Sequence, residues 1–181
     1  MKTLLKLILV LAVVIALGVF VVPMVARQLL PLSYEETIEA CAQEYDLPPE
    51  LIAGVIQAES SWRETVVSSA GAVGLMQLTP ETFTWLQSKT GESYDESALK
   101  TPEVNIRYGS YYLSYLKGRF SDEKTRLAAY NAGPNRVQDW LENPEYSDDG
   151  VTLKKIPIAE TEKYVDRIEL YRKLYRYIYF S

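Results

Sequence analysis

Histidine is absent from this chain, and cysteine occurs once, at Cys41. The first absence removes Ser-His-Asp and Cys-His catalysis, together with the commonest metal ligand. The second means that no internal disulfide can form. Cys41 lies inside a helical pattern running from Glu36 to Ala42 and reads as a small apolar core residue. Period-two alternation is almost missing, as are internal repeats and low-complexity tracts, so strands are not expected. Net charge is −5 and no basic stripe is present, which argues against a nucleic-acid partner. What remains for chemistry is carboxylates, amides, hydroxyls and aromatic rings.

Charge is also missing from one long stretch. Lys2 and Lys6 precede residues 7–26, which carry no charged side chain. About twenty apolar residues match the hydrocarbon thickness of a bilayer. A secretory apolar core is shorter, roughly 7–15 residues. The expectation is a single uncleaved transmembrane helix over 7–26, with a cleaved, secreted form as the alternative. Lys2, Lys6 and the α-amino group outweigh Arg27 on the far side, which keeps residues 1–6 in the cytoplasm. Residues 27–33 then form a tether, and residues 34–181 an extracytoplasmic domain large enough for its own core.

That domain reads as all-α, with seven to nine short helices. Ser33 followed by Glu36 suits a capping box and a helix to about Glu44. Pro48-Pro49, Thr79-Pro80 and Thr101-Pro102 place proline in a first helical turn, where a missing N–H is harmless. Ser121-Asp122-Glu123 marks another start, Pro134 opens a short helix through Trp140, and Glu160 to about Tyr179 forms the last one. Residues 141–157 are the longest irregular stretch. The 14 tyrosines cluster at helical spacing and read mainly as core.

Within the helix Pro49 to Ser60, positions 51, 52, 55, 56 and 59 share a face. Four of them are Leu51, Ile52, Val55 and Ile56, so Glu59 continues an apolar stripe. Burial and the negative helix end both raise a carboxyl pKa, which suits a proton donor. Gly71-Ala72-Val73-Gly74-Leu75-Met76-Gln77 follows, with glycines that permit tight turns and an amide that both donates and accepts. A serine before it, Ser68 or Ser69, is placed to orient the carboxyl. Tyr130-Asn131 precedes the Gly133-Pro134 break, where side chains reach a cleft. Each segment alone is also compatible with ordinary core or turn packing.

Taken in order, these segments resemble the soluble-lytic-transglycosylase family, with a goose-type-lysozyme-like fold. The resemblance runs through Glu59-Ser60 and Trp62; Ser68, Gly71-Ala72, Gly74 to Gln77 and Pro80; Asn105-Ile106, Gly109 and Tyr112-Leu113; Ala129 to Pro134 and Val137; and Ile156-Pro157, Glu160-Thr161 and Tyr164-Val165. Two positions depart: Arg63-Glu64 stands where many members carry Asn-Pro, and Thr79 where many carry methionine.

The resemblance implies cleavage of peptidoglycan glycan strands with no metal and no cofactor. It makes Glu59 the catalytic acid and base, with Ser68 hydrogen-bonded near it. It makes Gln77 a groove residue, with the backbone of Gly74, Leu75 and Met76 lining the same wall, Tyr130 a neighbour of the substrate acetamido group, and Asn131 its companion. Glu160 is implied as a second glutamate near the cleft, with Tyr164 closing the motif. It names no protein partner. A hydrolytic muramidase and a noncatalytic peptidoglycan-binding scaffold are the alternatives.

Overall fold

The structure, a computed structural model, describes residues 6–7, 11, 13, 15 and 17–180. The expected apolar span over 7–26 therefore lies partly outside the described residues. Among the described residues, no helix is long and apolar enough to cross a membrane.

Eight α-helices follow from residue 22 onward: α1 Val22–Leu29, α2 Glu35–Glu44, α3 Pro49–Ser60, α4 Pro80–Thr90, α5 Pro102–Arg119, α6 Glu123–Ala132, α7 Pro134–Leu141 and α8 Ala159–Tyr179. One 3₁₀ segment, Glu96–Lys100, joins α4 to α5. No strand forms among the described residues; only isolated bridges occur, such as Val67 with Val73 and Ser147 with Leu153.

Local chemistry explains most helix starts. Pro49, Pro80, Pro102 and Pro134 occupy first turns, where their fixed φ is already helical. Thr79 caps α4 by accepting from the Thr82 amide, and Asp122 caps α6 by accepting from the Thr125 amide at 2.8 Å. The expected Ser33–Glu36 capping box does not form. Tyr34 holds the N-cap position in a left-handed conformation (φ 57), with no side-chain cap. Its hydroxyl is bonded to the Glu64 carboxylate, so a tertiary contact has displaced the local motif.

Helix α3 is the spine. Leu51, Ile52, Val55 and Ile56 have no exposed surface, and α8 packs along the helix. Gly54 permits the approach, because a Cβ there would lie 3.2 Å from the Arg172 backbone nitrogen. The N-terminal turn of α3 carries a buried carboxylate, Glu50. It accepts from Arg176 Nε at 2.9 Å and from the second guanidinium nitrogen at 2.5 Å. This ion pair clamps the first turn of α3 to α8.

The segment read as a tether is docked on the helical body. The buried Tyr175 hydroxyl donates to the Pro31 carbonyl (2.9 Å) and accepts from the Trp62 indole N–H (2.7 Å). Tyr179 donates to the Leu30 carbonyl at 2.8 Å. Tyr175→Phe would leave an indole N–H and a carbonyl unpaired, at about 1–3 kcal/mol. Thermal unfolding should show a fall of roughly 5 °C, and an unchanged midpoint would deny this strap any structural weight.

The irregular stretch after α7 is held by its own staples. The Asp149 carboxylate accepts from the Val151 and Thr152 amides at 2.8 and 2.7 Å. Buried Leu153 and Ile156 anchor it, and the Leu153 amide donates to Thr125 Oγ1 at 3.0 Å. It delivers Ile158 and Glu160 to the groove.

Candidate active site

Glu59 sits at the last turn of α3, on the continuation of the buried stripe, and is itself half-buried. Helix α8 crosses behind it and presents Tyr164, whose hydroxyl donates to Glu59 Oε1 at 2.6 Å. One carboxyl oxygen is thereby fixed, and the other is left for a ligand. Burial pushes the Glu59 pKa up to about 7, although the Tyr164 hydrogen bond and the Arg167 positive charge pull the other way. Both protonation states are therefore accessible near neutral pH.

The backbone beside Glu59 is strained. Ser61 and Trp62 have φ of 50 and 63, and across the groove Gln77 has φ of 50. Positive φ at a non-glycine residue costs of order 1 kcal/mol or more and persists only when surroundings enforce it. Here the enforcing contacts are the Trp62 bond to Tyr175 and the Gln77 amide bonds described next.

A groove of about 630 Å³ opens over the carboxyl, and Glu59, Ser68, Gln77, Tyr130, Asn131 and Glu160 all border it. Gln77 donates through Nε2 to the Val66 carbonyl (3.1 Å) and the Gly74 carbonyl (2.8 Å). Both of its N–H groups are consumed, so it offers the groove an acceptor only. Tyr130 is buried, and its hydroxyl donates to the Met76 carbonyl at 2.8 Å. Burial raises its pKa well above 10, so the phenol stays neutral and presents a lone pair. Asn131 accepts from Thr161 Oγ1 at 2.8 Å, which turns its NH₂ donors outward. Glu160 is exposed, in the first turn of α8.

Two expected placements need correction. Ser68 borders the groove, but its oxygen accepts from the Ala72 amide at 3.0 Å and braces the loop. The hydroxyl bonded to Glu59 belongs to Tyr164, which is buried behind the carboxyl rather than in the groove lining. The Leu75 and Met76 side chains are fully buried, so only the backbone of this segment is left for the expected wall. Gly74 has φ +83, and a Cβ there would lie 2.5 Å from the Leu99 carbonyl.

Asn105 is the residue whose function was missed. It is fully buried on α5 and makes three bonds: Oδ1 accepts from the Met76 amide (2.7 Å), and Nδ2 donates to the Val73 (2.9 Å) and Leu99 (2.8 Å) carbonyls. It pins the wall that carries Gln77 and the Tyr130 partner. A buried polar residue inside an otherwise apolar helix face was the available signal.

Tyr164→Phe removes a bond that favours the Glu59 carboxylate, so the Glu59 pKa should rise further. The alkaline limb of the rate–pH profile is expected to move to higher pH by up to about one unit. A limb that stays in place would show that the hydroxyl does not tune Glu59.

The Transglycosylase SLT domain family matches residues 36–151. The chain is 36% identical over 152 residues to the soluble lytic murein transglycosylase of Escherichia coli K12, covering 81% of this chain and 23% of that protein. It is 30% identical over 132 residues to the membrane-bound lytic murein transglycosylase C of Actinobacillus pleuropneumoniae strain L20, covering 67% of this chain and 35% of that one. The crystal structure of the 70 kDa soluble lytic transglycosylase of Escherichia coli superposes with a TM-score of 0.74 at 31% identity, over 84% of this chain and 25% of that one. The chain thus spans about a quarter of the length of its Escherichia coli relative. With the family match covering well over half of its residues, and with this fold, the chain belongs to the transglycosylase SLT domain family.

Proposed function

We propose that this chain is a membrane-anchored peptidoglycan lytic transglycosylase, cleaving the β-1,4 bond between N-acetylmuramic acid and N-acetylglucosamine. The observation that carries the reading is one carboxyl, Glu59, oriented by Tyr164 and poised near pH 7 at the floor of a groove. Such a group can give a proton and then take one back.

Protonated Glu59 donates to the glycosidic oxygen as the bond breaks. The substrate's acetamido oxygen closes on C1 and shares the developing charge. Tyr130, its own proton committed to Met76, accepts from the acetamido N–H and so makes that oxygen more nucleophilic. Glu59, now a carboxylate, removes the proton of the C6 hydroxyl, which displaces the acetamido oxygen. The product carries a 1,6-anhydro ring, and Glu59 ends protonated. Gln77 accepts from, and Asn131 donates to, the sugar substituents. Glu160 accepts at the groove rim, Ser68 borders the strand, and Gly74, Leu75 and Met76 support the wall from behind.

The anchor is residues 7–26, with 1–6 cytoplasmic, 27–33 leading out and 34–181 extracytoplasmic. The uncharged run and the flanking charges support it, as does the existence of a membrane-bound relative. Digestion of purified sacculi by the full chain, followed by mass spectrometry, tests the chemistry. An anhydro end is one water lighter than a reducing end. Reducing ends alone would identify a muramidase, and intact sacculi a noncatalytic module.

A further inference from the structure

The end of α8 far from Glu59 is where α1 joins the helical body. The order of contacts there sets the direction of the chain. Pro31 meets Tyr175, whereas Leu30 and Arg27 both meet Tyr179, with the Arg27 guanidinium 5.6 Å from the ring centre. Tyr175 and Tyr179 stack on each other at 5.9 Å. Traced back from Pro31 towards the uncharged run 7–26, the chain therefore moves along α8 away from Tyr164, the residue that holds Glu59. At the helical rise of 1.5 Å per residue, Tyr164 and Tyr179 stand about 22 Å apart along α8. Tyr175 has no exposed surface, so the junction is packed rather than free to swing.

The surface at this end differs in character from the rest of the chain. Net charge is −5, yet residues 171–179 hold Arg172, Lys173 and Arg176 with no acid, and α1 adds Arg27 with none. Arg172 and Arg176 are paired with Glu123 and Glu50. Lys173 is exposed and has no ion-pair partner among the described residues. Tyr177 keeps 76% of its surface exposed and Leu29 72%, and Met24 is exposed on α1 as well. Lys173, Leu29 and Met24 neither belong to the core nor border the groove. Tyrosine beside lysine and arginine, next to an apolar helix, is the composition found where a protein meets the headgroup layer of a bilayer.

We infer that the C-terminal turns of α8 and the adjoining α1 seat on the headgroups of the bilayer that the anchor enters. This rests on the membrane-anchor reading of residues 7–26. Lys173 faces lipid phosphate, Tyr177 lies in the headgroup layer, and Tyr175 and Tyr179 lock α1 to the body. With α8 standing end-on, the groove is held about 20 Å above the headgroups. The groove then meets glycan strands in one layer over the membrane instead of sweeping the reach of a loose tether.

The test uses the full chain in vesicles of phosphatidylcholine and phosphatidylglycerol. One cysteine at a time carries a fluorophore, at Lys163→Cys, Leu170→Cys or Tyr177→Cys, three exposed positions that share a face of α8. Cys41 is buried and stays unlabelled. The quencher is a lipid with a spin label on its headgroup. Quenching should be strong at 177, weaker at 170 and absent at 163. Lys173→Glu should lower the quenching at 177 about five-fold. Equal quenching at all three positions, or none at 177, overturns the end-on seat. So does a Lys173→Glu protein that is quenched like its parent, because the strap alone would then be carrying this end near the lipid. A chain that does not sediment with the vesicles at all defeats the anchor reading itself, and this inference with it.

Discussion

Glu59→Gln is expected to abolish lytic activity while making the protein more stable above neutral pH. General acid–base assistance accounts for roughly 10²–10⁴-fold in rate. In the proposed mechanism a single group serves as both acid and base, so the loss should reach at least the upper part of that range. Glutamine preserves shape and can still accept the Tyr164 hydrogen bond. A folded variant with full activity on sacculi would remove Glu59 from the mechanism.

The stability effect follows from the same burial. The ordinary glutamate value is 4.5, and in the fold Glu59 titrates near 7. A group whose folded pKa is raised stabilises fully below the unfolded value and loses that contribution as pH rises through the folded one. The parent protein should therefore weaken between about pH 4.5 and pH 7 at this site, whereas the glutamine variant should not. The differential is about 1–3 kcal/mol, or roughly 5 °C in midpoint. Paired melts at pH 4.5 and pH 8 read it out. A midpoint difference that is the same at both values would mean that Glu59 ionises normally. On the proposed mechanism the activity of the parent should fall as pH rises through about 7, because the first step needs the proton in place.

How far the sequence alone reached depended on the range of each interaction. Thr79, Pro80, Pro49 and Pro134 mark helix starts through contacts within one turn, and those starts are present. The apolar stripe 51, 52, 55 and 56 led directly to the half-buried Glu59. The Tyr164–Glu59 bond spans 105 positions and depends on how α8 crosses α3, which no local pattern encodes. The same holds for Gln77. Its amide looked free to donate, but the tight turn around Gly74 brings two carbonyls onto it. Leu75 and Met76 sit in a groove motif yet face inward, because the backbone between Gly74 and Gln77 is pulled against α5. The Ser33 box fails for the same kind of reason, a tertiary bond from Tyr34 overriding a local cap.

Asn105→Ala should be the most destabilising single change on the groove side of the fold, and it touches no substrate. Asn105 satisfies the Met76 amide and the Leu99 carbonyl in a fully buried setting. Truncation leaves both without their partner and opens a void. Each orphaned group costs about 1–3 kcal/mol, so a total near 4 kcal/mol and a midpoint drop of about 10 °C are expected. Asn105→Asp should be no milder. Its carboxylate can accept from Met76 but cannot donate to either carbonyl, and it places buried charge against both. The consequence for activity runs through the wall. Freeing Met76 releases the carbonyl that holds Tyr130, and loosening Gly74 removes one acceptor that fixes Gln77. Activity at a temperature where the variant remains folded should therefore fall together with stability. A well-folded Asn105→Ala protein with normal turnover would show that the wall is set by the Gly74 turn alone, with the buried amide serving only as filler.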